Sequence, residues 1–201
     1  MARKPRRKAE ETREDILTVA EDLLRTKGFS SVTMADIAAA LQMSPANVFK
    51  HFHSKAVLVD AISARHLDRL AHRFTAINSD QPAPLRLFDL AQRLMEAHLD
   101  DLQQNPFLFE MIVMTAKADF PSGQRYRQMI VAGFAEIIRD GIARGDYHCG
   151  NPEDAALTVS DGLACILHPV LLGRTDCVTL RERCKNIVTL INAALQNPLV
   201  K

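Results

Sequence analysis

Residues 29–55 read FSSVTMADIAAALQMSPANVFKHFHSK, and the spacing of caps and apolar positions within them decides the fold. Thr33 can accept from the free amides of the turn that follows it, and Asp36, three residues on, puts a carboxylate at the same helix end. A helix is expected from Met34, with Ile37, Ala38 and Leu41 on one apolar face and a lapse at Gln42 and Met43. Ser44 is a second N-cap, and Pro45 takes the first helical position, where its missing amide hydrogen is no loss. The helix it opens is expected to turn Val48, Phe49 and Phe52 inward. Ser54 then repeats the capping signal ahead of Lys55, Val57, Leu58, Ala61, Ile62 and Leu67, which predicts a third and much longer helix. Helices shorter than ~12 residues are marginal alone, so the two short ones need longer neighbours to pack on. Short helix, tight turn and short helix make a helix-turn-helix, and that motif points to sequence-specific DNA binding.

Residues near the start of the second helix are those that reach base edges in a major groove. Here they are Ser44, Pro45, Ala46, Asn47, Lys50 and His51. Asn47 can pair with adenine, Ala46 can touch a thymine methyl, and Lys50 can meet guanine acceptors or a phosphate. The competing reading leaves Asn47 supporting the capped turn, with Lys50 and His51 on a solvated face.

A longer helix precedes this unit. It carries Ile16, Leu17, Val19, Ala20, Leu23 and Leu24 at helical spacing, begins among Glu10, Glu11, Glu14 and Asp15, and is stopped by Gly28. Ahead of it runs a basic segment, Arg3, Lys4, Arg6, Arg7 and Lys8, expected to be a disordered arm that follows the DNA backbone or enters the minor groove; a solubilising tail is the alternative.

Taken together, EETREDILTVAEDLLRTKGF and TMADIAAALQMSPANVFKHFHSK resemble the N-terminal domain of the TetR family of bacterial transcriptional regulators. The matching positions are Gly28-Phe29, Thr33, Ile37-Ala38, Ser44, the aromatic Phe49, Phe52 and Ser54-Lys55. Two positions depart from the family's pattern. Gln42 stands where glycine is common, and a left-handed backbone there costs a side chain roughly 1–2 kcal/mol. Phe49 stands where tyrosine is usual, so a phosphate contact through that hydroxyl is lost. The resemblance implies that Thr33 and Lys55 contact the DNA backbone, and both lie at helix N-termini, where amides and dipole favour a phosphate.

The whole chain has 201 residues, 47% of them apolar, enough for a substantial core in one or two domains. Its net charge of +1 argues against a sequence-blind DNA coater, so specificity must come from a patterned site. No stretch of ~18 apolar residues spans a membrane, and the basic start runs into acidic residues instead of an apolar signal core, so a cytoplasmic location is expected. Cys149, Cys165, Cys177 and Cys184 lack zinc or thioredoxin spacing, although Cys177 and Cys184 share a helix face and a redox pair is conceivable there.

Beyond Lys55 the pattern predicts helices at 55–77, 85–102, 106–117, 123–143, 152–172 and 177–196. The expected fold is all-α, with an arm and helix-turn-helix domain at 1–54 joined by a long helix to a helical ligand-binding and dimerisation domain at 55–201. Asn151, Pro152, Glu153 and Asp154 give a clear helix start, while Pro169 should kink that helix or end its regular part. Asp161, Cys165 and His168 fall near one face of it, most simply as a structural polar cluster.

The last two helices have wide apolar faces, Ala155, Ala156, Val159, Gly162, Leu163, Ile166, Val170 and Leu171 on one and Leu180, Ile187, Val188, Ile191, Ala194 and Leu195 on the other. They can pair with symmetry mates into a four-helix interface, as the resemblance also implies, or simply pack on their own subunit. The resemblance further implies a small-molecule effector site among the middle helices, with repression as the family default. Candidate lining residues are Phe88, Met95, His98, Phe107, Met111, Met114, Tyr126, Met129, Phe134 and Asp161; composition alone would make most of them ordinary core. No nucleophile elbow, phosphate loop or paired metal histidines occur, so neither a catalytic activity nor a cofactor is expected. A helical interaction module that has lost operator binding is the alternative function.

Overall fold

The computed structural model describes residues 9–74, 80–117 and 120–197, which form eleven α-helices; no strand occurs among the described residues. The basic arm lies outside them. Helix α1 (Ala9–Lys27) ends at Gly28, whose φ of 79° is the left-handed conformation that a β-carbon disfavours. The ring of Phe107 would also lie 3.1 Å from a β-carbon at that position, so the close approach and the backbone both require glycine.

Helices α2 (Met34–Ala40) and α3 (Pro45–His51) occupy the expected positions. At α2 the capping box is complete: the Asp36 amide donates to Thr33 Oγ1 at 3.2 Å, and the Thr33 amide donates to the Asp36 carboxylate at 2.8 Å. At α3 the Asn47 amide donates to Ser44 Oγ at 3.3 Å. Between them Gln42 sits at φ 55°, the strained conformation expected where a glycine is missing.

One orientation differs from expectation. Val48 and Phe52 are fully buried, but Phe49 is 45% exposed. A helix advances 100° per residue, so with Val48 facing the core its neighbour is carried to the rim, while Phe52 has already left the helix as its C-cap. Helix α4 (Lys55–Phe74) opens with the Val57 amide donating to Ser54 Oγ. Its Leu58, Val59 and Ile62 join Ile16, Leu17, Ala20, Leu24, Ile37 and Ala38 in the N-terminal core.

Helices α5 (Ala83–Gln104), α6 (Pro106–Lys117) and α7 (Pro121–Arg144) follow. The first and third begin two residues earlier than the pattern suggested, because a proline can occupy the first turn. A larger core assembles around Leu87, Leu94, Met95, Phe134, Ile138 and Tyr147. Burying each such side chain contributes about 1.5–3 kcal/mol against the entropy of ordering the chain.

The helix expected at 152–172 is broken into α8 (Pro152–Gly162), α9 (Ala164–Leu167) and α10 (Pro169–Leu172). Pro169 supplies no amide to the preceding turn, so the chain restarts with Pro169 at the first helical position and His168 as N-cap. Helix α11 (Cys177–Gln196) is capped by Asp176, whose carboxylate accepts from the Thr179 amide at 2.9 Å. Half of the apolar residues named for these last helices face inward: Ala156, Val159, Leu163, Ile166, Leu180, Val188 and Leu195 are buried in their own subunit. Leu157, Leu171, Val178 and Leu190 are the large apolar side chains left exposed there.

Candidate nucleic-acid interface and internal cavity

The outer surface of the bihelical unit is formed by Thr33, Ser44, Pro45, Ala46, Phe49 and Lys50, all exposed, with Asn47, His51 and Lys55 half-buried beside them. Its position follows from the caps, which set the entry of each helix, and from Val48, which anchors α3 to the core. Asn47 rests its Nδ2 on Met43 Sδ at 3.6 Å, so its amide is steadied by the turn at the edge of this outer surface. The Thr33 hydroxyl donates to Asp36 at 2.6 Å, and hydrogen bonds from Thr33 hold the Asp36 carboxyl below its ordinary pKa.

Lys55 is positioned too. Its ammonium donates to the Phe29 carbonyl oxygen and lies 3.9 Å from the centre of the Phe29 ring. Burial pushes its pKa down, opposed by the charge of Asp36. A lysine held in this way presents its charge at a defined place, which suits contact with a phosphate more than search by a flexible chain.

Between the middle helices lies a cavity of about 190 Å³. Its walls are Leu67 of α4, Ile112 and Thr115 of α6, Gly123, Tyr126, Arg127 and Ile130 of α7, Ser160 and Asp161 of α8, and Ala164, Leu167, His168 and Pro169 from the broken segment. Of the ten sequence candidates the cavity brings together Tyr126 and Asp161. His98 stands behind the wall, its Nε2 2.7 Å from the Tyr126 hydroxyl. Met95 and Phe134 lie in the large core, with Phe88 and Met129 packed against it. Met111 belongs to the N-terminal core, Phe107 packs at Gly28 with 38% exposure, and Met114 is half-buried on α6.

Sequence reasoning missed most of the lining because the break that aims His168 and Ala164 into the space is a tertiary event. The proline was its only local signal. The cysteines are free thiols; Cys184 is buried, its pKa pushed up to about 11 by burial, and Cys177 Sγ accepts from Gln103 at 3.4 Å. Among the described residues no group of three potential metal ligands occurs, and no helix is long and apolar enough to cross a membrane.

A capped bihelical reading unit carried on a helical body with an internal cavity defines a helix-turn-helix transcriptional regulator. Comparison with known proteins gives the family. Residues 16–62 match the family model for bacterial regulatory proteins of the tetR family, and residues 83–188 match that for the tetracyclin repressor-like C-terminal domain. The chain belongs to the TetR family. It is 33% identical over 178 residues to the HTH-type transcriptional repressor Rv3405c of Mycobacterium tuberculosis, covering 80% of this chain and 91% of that protein.

It is also 35% identical over 66 residues to the HTH-type transcriptional regulator UidR of Escherichia coli, a match that spans 33% of this chain and 34% of that relative's length. Among solved structures, a TetR-family regulator from Pectobacterium atrosepticum superposes with a TM-score of 0.69 at 19% identity, covering 98% of this chain and 99% of that one. Thermus thermophilus FadR, a repressor solved with lauroyl-CoA, does so at 0.66 and 20% identity over 94% and 96%. These two likenesses establish the all-α fold. The family and these relatives are regulators and not enzymes.

Proposed function

We propose that the protein is a cytoplasmic repressor that binds an inverted-repeat operator as a homodimer and is released when a small molecule occupies the cavity. Asn47, Ala46, Pro45, Phe49 and Lys50 read bases and sugars on this account, His51 stands at the end of that surface, and Ser44, Thr33 and Lys55 position the unit on the phosphates. The second subunit supplies the second reading head, which must lie roughly one turn of DNA (~34 Å) from the first. Outer faces of α8 and α11, with Leu157 and Leu190 exposed, are the surface for that pairing.

The observation that carries ligand release is the placement of α6. Leu108, Met111 and Ile112 are part of the N-terminal core, while Ile112 and Thr115 line the cavity and Phe109 packs in the larger core. A cavity occupant that displaces α6 therefore acts on the packing of the reading head without an intermediary. It can shift the equilibrium only by its preference for the released state, and ~1–3 kcal/mol corresponds to a 5- to 150-fold loss of DNA affinity.

Ala164, half-buried in the cavity wall, provides the test. An Ala164→Phe variant fills the space with its own side chain and should bind the operator at least fivefold more weakly than the parent with no ligand added. Undiminished operator affinity in a folded Ala164→Phe dimer would refute release through this cavity.

A further inference from the structure

The cavity's polar groups define the ligand more closely than its size does. At about 190 Å³ it is somewhat larger than the ~150 Å³ apolar cavity that accepts benzene, so it suits one ring with a small substituent. Leu67, Ile112 and Ile130 give it an apolar interior.

Two side chains of the lining, His168 and Tyr126, can each offer a neutral donor. The His168 Nδ1 accepts the Val170 amide at 3.3 Å, and burial followed by the nearby charge of Arg127 pushes the ring's pKa down. The ring is therefore neutral with its proton on Nε2, leaving an N–H donor. The second donor follows from His98, which is fully buried and pushed down to about 4 by burial, and whose Nδ1 has no partner. An orphaned buried N–H is rarer than an orphaned acceptor, so the proton of His98 is assigned to Nε2, from which it is donated to the Tyr126 oxygen. The Tyr126 O–H is then free to donate to a cavity occupant.

Charge is balanced at the mouth. Arg127 and Asp161 line the cavity, are exposed, and make no ion pair among the described residues; their formal charges cancel. Apart from these two exposed groups the lining holds no charge to compensate a buried ionic group, which would lose its hydration. Resting on the effector-cavity reading above, we propose that the ligand is a compact, uncharged carbonyl compound of about one ring, a ketone, ester or amide, whose oxygen accepts from Tyr126 and His168.

Calorimetric titration of the full-length protein with acetophenone tests this against three probes of similar shape: toluene, which lacks the acceptor, benzoate, which is anionic, and benzylamine, which is cationic. Acetophenone should bind at least tenfold more tightly than any of the others. Equal affinity for toluene would show the donors idle, preference for benzoate or benzylamine would show a charged ligand class, and binding of none of the four would show no such site; each overturns the proposal.

Two variants add an independent check. Tyr126→Phe keeps the ring, and His168→Asn keeps an acceptor for the Val170 amide. Each should weaken acetophenone about tenfold and leave toluene unchanged. A loss shared equally by toluene would signal altered packing and count against the donor assignment; if either variant fails to fold, the ranking of probes on the parent protein decides. Operator affinity is measured separately. Tight acetophenone binding that leaves DNA affinity unchanged would support the ligand class and refute ligand release.

Discussion

Gln42 pays for its place in the turn with a φ of 55°, a conformation glycine adopts freely. Gln42→Gly should relieve strain of roughly 1–2 kcal/mol, partly offset by the greater freedom glycine gives the unfolded chain, for a net gain of about 0.5–1 kcal/mol in urea unfolding. An unchanged or lowered midpoint would show that the turn is not strained. Lys55 and Asn47 separate two roles at the same scale. Lys55→Met, which keeps the stem against Phe29, should weaken binding to all DNA sequences alike and lower the salt slope by about 1, whereas Asn47→Ala should change preference at particular base pairs. Equal, sequence-blind losses from both would contradict these assignments. The caps at Thr33, Ser44 and Ser54 were legible because capping is local chemistry. The exposure of Phe49 was not, because a seven-residue helix leaves its orientation to whichever single side chain wins the core, here Val48.

Helix α1 is fastened to α4 by a buried carboxylate. Glu21, 4% exposed, accepts from Arg69 at 2.7 Å and also from Arg65, with Arg25 at 3.7 Å. Burial pushes its pKa up, but the hydrogen bonds and charges of Arg69 and Arg65 outweigh that and hold it low. Between α5 and α7, buried His98 behaves differently, with its pKa pushed from the ordinary 6.5 down to about 4. Because the unfolded chain binds the proton first, the stability His98 contributes is complete above pH 6.5 and is lost as pH falls to about 4. The urea midpoint should therefore decline over this window in the parent protein and more shallowly in His98→Gln; parallel profiles would exclude His98 as a source. Glu21 acts at lower pH, since its stabilisation is lost only as the carboxylate protonates below its ordinary 4.5. Helix existence and order were legible from apolar spacing, and α11 was bounded correctly at both ends. The threefold break of 152–172 was only half legible, because Pro169 is a local signal while the turn at Leu163 is set by burial against neighbouring helices.

The molecule has two cores joined through α4 and α6, and the proposed function depends on two subunits holding their reading heads at one spacing. Leu190, 71% exposed on α11, is the most exposed large apolar side chain among the described residues, and the proposed pairing would cover it. Light scattering should give twice the 22.4 kDa chain mass for the parent and a single chain mass for Leu190→Glu, with loss of operator binding in the same variant. A dimer that survives this change would move the interface elsewhere. The pairing of last helices was suggested by sequence, yet half of the residues that suggested it are buried in intrasubunit core, since apolar spacing cannot tell a core from an interface. The central claim, a dimeric reader of an inverted repeat, is tested most directly by selecting bound duplexes from a random DNA pool with the full-length protein at near-physiological salt. The account predicts enrichment of one inverted repeat whose half-sites are spaced by about one helical turn. Recovery of no shared sequence, or of a single unrepeated half-site, would contradict it.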